Sequence, residues 1–309
     1  MSGKVEIVEL GLRDGLQNEK MTVSVETRVE LARRLADAGV RRMEIGAFVR
    51  ADKVPQMAGS KEVTMAALKF QKEKVISPQV RFCALVPNEK GMIEALPTGV
   101  NEVAIFASCT ESFSKSNINC TIEESFERFA SVIALAKKNK IKVRGYLSVC
   151  FGCPYEGKVS EAKVVSLAKR LYELGCNEIS IGDTIGVANP LQVERLFKKL
   201  KKAIPIKKLA GHFHDTRGTA ISNILRAYEI GVRTFDTSLG GLGGCPYAPG
   251  SAGNVATEDV VYMFDGMGIK TGLNLKSYIE TSRWFAAQIH KELPSKVSKA
   301  GLPSSMLNK

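Results

Sequence analysis

Apolar runs of strand length recur along the chain with amphipathic segments of helical period between them, an alternation that predicts a parallel sheet built from βα units. The runs fall at 5–10, 42–48, 80–86, 102–107, 142–149, 178–183, 209–214 and 234–239. That makes about eight strands, the number that closes into a barrel in a chain of this length. Between the runs, 26–38 sets Val29, Leu31, Ala32, Leu35 and Ala36 toward the sheet, and 122–138 opens on Thr121 as N-cap with Glu124 at the capping-box position. Gly39, Gly99, Gly175 and Gly231 each stand where a helix ends, two or three residues before a strand, and read as C-caps. After the eighth run come a glycine-rich stretch at 240–253, a helix at 257–266, a further helical segment at 275–292 and a tail from 294 to 309 that reads as loosely ordered. No linker rich in Pro, Gly or Ser divides the chain. The expected fold is a (β/α)8 TIM barrel in a single domain over 1–309, with the barrel at about 4–268 and a C-terminal helical extension at about 274–309.

Composition narrows the partners. The formal net charge of +12 comes from lysines and arginines spread along helical segments such as 198–202, with no aromatic-interleaved patch. Nucleic acid is therefore not the expected partner, whereas a small polyanion is compatible. The N-terminus enters its first strand without the apolar core of a signal peptide, and no membrane association is expected. Seven cysteines, an odd number in a chain too large to need staples, fit reduced thiols in a cytoplasmic setting. Cys150 and Cys153 have the spacing of a redox or zinc pair, but no second pair accompanies them and Pro154 follows where a redox helix would continue.

The chemistry collects at strand ends. His212 and His214, two of only three histidines, stand at i and i+2 in the seventh strand and so share one face. The first strand ends in a polar stretch holding Arg13, Asp14 and Gln17, the second carries Glu44, and the sixth ends in Asp183. In barrels of this kind the active site lies at the C-terminal ends of the strands. Closure makes strands one, seven and eight neighbours, which brings Asp14, both histidines and the loop with Asn254 around one point. Two imidazoles, a carboxylate and an amide oxygen form an N/O set without thiolate, which favours Mg2+ or Mn2+ over structural zinc. The competing reading makes Asp14 a helix cap and Asn254 a turn residue, but it leaves Arg13, Glu44 and Asp183 at strand ends unexplained. Cys245 differs from the other cysteines by lying in the glycine-rich loop, either as part of a static phosphate cradle or on a mobile lid that carries a thiol to the metal.

These residues resemble a known family. Arg13–Glu19 (RDGLQNE), Val54–Met57 (VPQM), Asn117–Cys120 (NINC), Gly152–Gly157 (GCPYEG), Gly182–Gly186 (GDTIG), His212–Asp215 (HFHD) and Gly241–Gly250 (GLGGCPYAPG) look like the motif series of the hydroxymethylglutaryl-CoA lyases, within the DRE-TIM metallolyase superfamily. The resemblance spans nearly the whole chain. It implies retro-Claisen cleavage of 3-hydroxy-3-methylglutaryl-CoA to acetyl-CoA and acetoacetate, and an acyl-CoA as the small-molecule partner. It also implies Asp14, His212, His214 and Asn254 as metal ligands, Arg13 at the thioester, Cys245 on a mobile loop, Glu44 and Asp183 in the site, and a homodimer. Leu12 before Arg-Asp-Gly, Ala47, and the stretch Arg50-Ala51-Asp52-Lys53 depart from the family pattern beside the site. A larger 3-alkyl group, a Claisen-condensing synthase and a catalytically lapsed CoA-binding protein are the competing expectations.

Overall fold

The computed structural model describes residues 3–244 and 253–304. Its strands are β1 (Glu6–Glu9), β2 (Arg42–Ala47), β3 (Arg81–Leu85), β4 (Glu102–Ser108), β5 (Lys142–Ser148), β6 (Glu178–Asp183), β7 (Leu209–Phe213) and β8 (Thr234–Thr237). Each pairs in parallel with the next, and β8 pairs back with β1 through Glu6 to Thr234 and Glu9 to Thr237, so the sheet closes as a (β/α)8 TIM barrel. Every residue of β2, β6 and β8 is buried, as expected of parallel strands covered on both faces.

Local signals act where the sequence places them. Ser24 accepts the Thr27 amide at the start of helix Val25–Asp37, and Thr121 and Glu124 form the reciprocal capping box of helix Ile122–Lys138. Gly39, Gly99, Gly175 and Gly231 all have positive φ. At Gly39 a side chain would also overlap the Gly272 carbonyl, so both conformation and space demand glycine there.

Several element ends shift by a residue from expectation, and three differences matter more. β1 stops at Glu9 because Gly11–Gly15 wind into a single π-helical turn, closed by the Gly15 amide on the Leu10 carbonyl at 3.1 Å. β8 stops at Thr237 because Leu239–Gly241 turn through Gly240 at φ 60°. The helix expected over 275–292 is Leu275–Gln288, with Arg34 stacked 4.4 Å over Trp284 where it packs on helix Val25–Asp37. The described part of the tail is not loose. Ser295 caps a short helix, Lys296–Ala300, and the Asp259 carboxylate accepts the Ser295 hydroxyl at 2.8 Å and the Val297 amide at 2.9 Å. Those anchors come from a helix 36 residues away, beyond the reach of local propensity. Among the described residues no helix is long and apolar enough to cross a membrane.

The N-terminal half of the barrel interior holds a network of buried ions. Arg42 forks onto Glu102 at 2.8 and 2.6 Å and reaches Glu178 at 2.9 Å, while Arg144 joins Glu178 at 2.7 Å to Asp236 at 2.6 Å. This is the floor on which the chemistry above it stands.

Candidate metal centre and active site

At the opposite end of the barrel, the π turn after β1 carries Arg13 and Asp14 over the mouth, and the Glu9 carboxylate holds both sides of it by accepting Gly11 N at 2.7 Å and Leu239 N at 2.8 Å. His212 lies in β7 and His214 just past its end, their ring centroids 5.1 Å apart. Asp14, His212 and His214 offer ligand atoms that all lie within 4.8 Å of one another. Asn254 joins them because its backbone bridges to His214, and its side-chain NH2 donates to Asp14 Oδ2 at 2.7 Å and to the Leu242 carbonyl at 3.2 Å. Gly243, at φ 113°, leaves the room: a Cβ there would fall 2.7 Å from Asn254 Nδ2. The four residues placed around one point by barrel closure are thus brought together.

Arg13 is buried beside them. Its Nε donates to Glu44 Oε2 at 2.8 Å, its Nη2 lies 2.7 Å from the same oxygen, and its Nη1 donates to Asp14 Oδ1 at 2.6 Å and reaches Gln17 Oε1 at 3.5 Å. A guanidinium has five N–H donors, so one Nη2 hydrogen is left for another acceptor. Burial alone would lower the Arg13 pKa, but Glu44 and Asp14 more than offset it and keep the group charged. Burial pushes Glu44 upward against the pull of Arg13, and its Oε1 has no hydrogen-bond partner. β2 bulges between Glu44 and Gly46, an irregularity of the kind that re-aims side chains beside active sites.

The remaining expected residues divide. Asp183 is buried at the end of β6, where its two oxygens accept the amides of Val187 and Ala188 at 3.0 Å each, so its carboxylate organises the loop that follows. Gln17 stands at the edge of the site through its contact with Arg13. Cys245 lies outside the described residues. Two contributors were missing from the strand-end reading. The Tyr146 hydroxyl donates to Glu44 Oε2 at 3.2 Å with its ring 5.7 Å from the Arg13 guanidinium, and Asp236 stands 3.3 Å from His212 Nδ1. The available signal was alternation and charge: Arg144 and Tyr146 are two apart in β5, and Asp236 is the one charged residue in the run 234–239.

The site suits a divalent cation. Burial would raise Asp14, but Arg13 and the two histidines hold it at about 2, so it is ionised. Burial first, and then His212, lowers His214 to about 3, so it is neutral. Both are in the protonation state that ligation requires. His214 Nδ1 is buried with no hydrogen-bond partner, a polar atom with capacity to spare. The donor set is oxygen and nitrogen without sulfur.

Comparison with known proteins gives the family of the chain. The HMGL-like family model matches residues 4–284. The chain is 49% identical to the hydroxymethylglutaryl-CoA lyase of Pseudomonas mevalonii over 285 residues, 92% of each chain. It superposes on the crystal structure of hydroxymethylglutaryl-CoA lyase from Pseudomonas aeruginosa with a TM-score of 0.92 at 44% identity, covering 97% of this chain and 98% of that one. An HMG-CoA lyase from Acinetobacter baumannii, solved in complex with coenzyme A and 3-methylmalate, gives a TM-score of 0.90 at 36% identity, over 97% of this chain and 96% of that one.

Proposed function

The chain belongs to the HMGL-like family, and from that premise we infer that it is a carbon–carbon lyase cleaving 3-hydroxy-3-methylglutaryl-CoA to acetyl-CoA and acetoacetate by a retro-Claisen reaction. The observation that carries the reading is the meeting of a cation-ready cluster, Asp14, His212 and His214, with the Arg13 guanidinium 2.6 Å from Asp14 at the barrel mouth. Asp14, His212, His214 and Asn254 would hold Mg2+ or Mn2+. Such an ion, when bound, supplies Lewis-acid polarisation of the substrate oxygens.

Cleavage breaks the bond between the hydroxyl-bearing carbon and the acetyl carbon. The hydroxyl loses its proton and becomes the carbonyl of acetoacetate, and the electron pair moves onto the thioester as an enolate. Arg13 offers its remaining Nη2 hydrogen to the oxygen on which that charge grows, while Glu44, Asp14 and Gln17 fix the plane of the guanidinium. Asp183 holds the loop after β6 by accepting the Val187 and Ala188 amides, and its carboxylate is within electrostatic reach of His212. The proton taken up by the acetyl carbon is assigned to Cys245 on the family resemblance. The same resemblance supplies the homodimer, and the odd number of cysteines supplies the cytoplasmic setting.

A second substrate reading rests on Ala47 and the altered stretch at 50–53. Ala47, buried at the end of β2, stands where the family resemblance has a hydroxyl side chain, and its smaller size favours a larger 3-alkyl group. One assay separates the readings: metal-stripped protein is supplied with Mg2+ or Mn2+ and offered hydroxymethylglutaryl-CoA and longer 3-alkyl analogues, and acetyl-CoA release is followed. Activity should vanish on chelation, return with either ion and favour the methyl compound. Full turnover after exhaustive chelation would remove the metal reading, and preference for a longer chain would change the substrate but keep the reaction.

A further inference from the structure

The two histidines of the mouth are not equivalent. His214 Nδ1 faces no protein acceptor among the described residues, whereas His212 Nδ1 lies 3.3 Å from Asp236 Oδ2. The β7–β8 register sets His212 directly opposite Asp236, so both side chains enter the barrel at one level. Asp236 has no freedom to turn away. Arg144 Nη2 donates to its Oδ1 at 2.6 Å, Ser180 Oγ donates to its Oδ2 at 2.7 Å, and Arg144 is itself anchored on Glu178. The side chain is completely buried. His212 Nδ1 has no aligned hydrogen-bond partner, and Asp236 Oδ2 is the acceptor it faces.

We propose that Asp236 is a positioning residue for the metal centre: it holds His212 as the Nδ1–H tautomer with a fixed ring plane, leaving the Nε2 lone pair for the cation. The inference rests on the reading that His212 is a ligand. A metal-binding imidazole needs one nitrogen deprotonated, and the hydrogen bond made by the other nitrogen decides which. Here the floor network reaches His212 through the Asp236 carboxylate, Arg42 and Arg144 sharing Glu178 and Arg144 passing on to Asp236.

Asp236→Asn separates this role from that of a simple counter-ion. Arg144 can only donate, so the amide oxygen stays on the Arg144 side and the NH2 turns toward Ser180 and His212. His212 must then accept at Nδ1 and carry its proton on Nε2, the nitrogen the cation needs. Mn2+ titration, with free ion followed by electron paramagnetic resonance, should show Kd raised about 10- to 100-fold in Asp236→Asn. If His212→Ala leaves Kd unchanged, the ligand reading fails and this inference with it. If His212→Ala weakens binding and Asp236→Asn does not, the ligand reading stands and the inference alone is overturned. Should Asp236→Asn not fold, the wild-type protein decides. With three histidines in the chain, 15N-histidine labelling of the Mg2+-loaded protein resolves His212, which should show a protonated, pyrrole-type Nδ1. A pyridine-type Nδ1 on His212 overturns the proposal.

Discussion

Two clusters of buried charge share this barrel and obey opposite rules. On the floor, donors and acceptors are matched: Arg42 forks onto Glu102, shares Glu178 with Arg144, and also reaches Glu6 at 3.2 Å. The one floor nitrogen without a hydrogen-bond partner, Arg144 Nη1, belongs to a guanidinium stacked 4.7 Å over the Tyr146 ring. At the mouth, Glu44 Oε1 and His214 Nδ1 are buried without hydrogen-bond partners. An unsatisfied buried polar atom costs about 1–3 kcal/mol, a burden that matched ions avoid. Charge that is fully paired keeps shape, and charge left partly unpaired is capacity reserved for something that binds.

The sharpest way to break the comparison is to unpair the floor. Arg42→Met leaves Glu102 and Glu178 facing each other without their shared cation, and removing one partner from a buried ionic set costs about 3–5 kcal/mol. Urea unfolding should show a loss of that size, while the Mn2+ affinity of the folded fraction stays near wild type. A large loss of metal affinity with unchanged stability would mean that the two clusters are one functional unit.

The mouth should answer in the opposite currency. Arg13→Lys replaces a fork spanning Glu44 and Asp14 with a point charge that cannot hold both and still face the substrate. Glu44, already pushed upward by burial, can take a proton, which limits the stability cost. Steady-state kinetics should show kcat reduced by about 10²-fold with KM changed only a few-fold. An unchanged kcat would remove Arg13 from the reaction.

The two clusters were not equally legible in the sequence. The mouth was, because chemistry at strand ends has an address in this fold: once eight strands were counted, closure carried Asp14, His212, His214 and Asn254 together. The floor was not. Arg144 and Asp236 are 92 residues apart, and nothing local to either names the other. The same limit hid Tyr146, whose partner Glu44 is 102 residues away, and Asp259, whose hold on the tail turned an expected loose end into a capped helix. Gly39 and Thr121 were legible for the converse reason, since a C-cap and a capping box are decided within a few residues. Asp183 lies between these cases: its place at a strand end could be read, but not the two loop amides that occupy its oxygens.

A buried carboxylate outside both clusters, Glu258, tests the rule by pH. Glu258 receives the Gly240 amide on both oxygens, at 3.1 and 2.9 Å, and the Ser298 hydroxyl at 3.1 Å, tying the start of the glycine-rich stretch to the C-terminal segment. It has no guanidinium. Burial pushes it from the usual 4.5 up to about 7, with hydrogen bonds opposing and the charge of Glu9 adding to the rise. The folded state therefore keeps a proton that the unfolded chain releases, so this contribution is full below about pH 4.5 and is lost as pH rises toward 7. The matched carboxylates of the floor behave oppositely. Burial would raise Asp236 and Glu178, but Arg144 holds Asp236 down, and Arg144 and Arg42 together hold Glu178 down, so their contribution is lost as pH falls. Glu258→Gln keeps an oxygen for Gly240 and removes the titration. Its unfolding free energy should fall less between pH 5 and 8 than that of wild type, by about 1–3 kcal/mol, with the acid limb unchanged. Glu9, buried nearby and also pushed up by burial, leaves a residual slope of the same sign. If wild type and Glu258→Gln lose stability in parallel across that range, Glu258 is already ionised in the fold and the contrast between paired and unpaired charge does not extend to it.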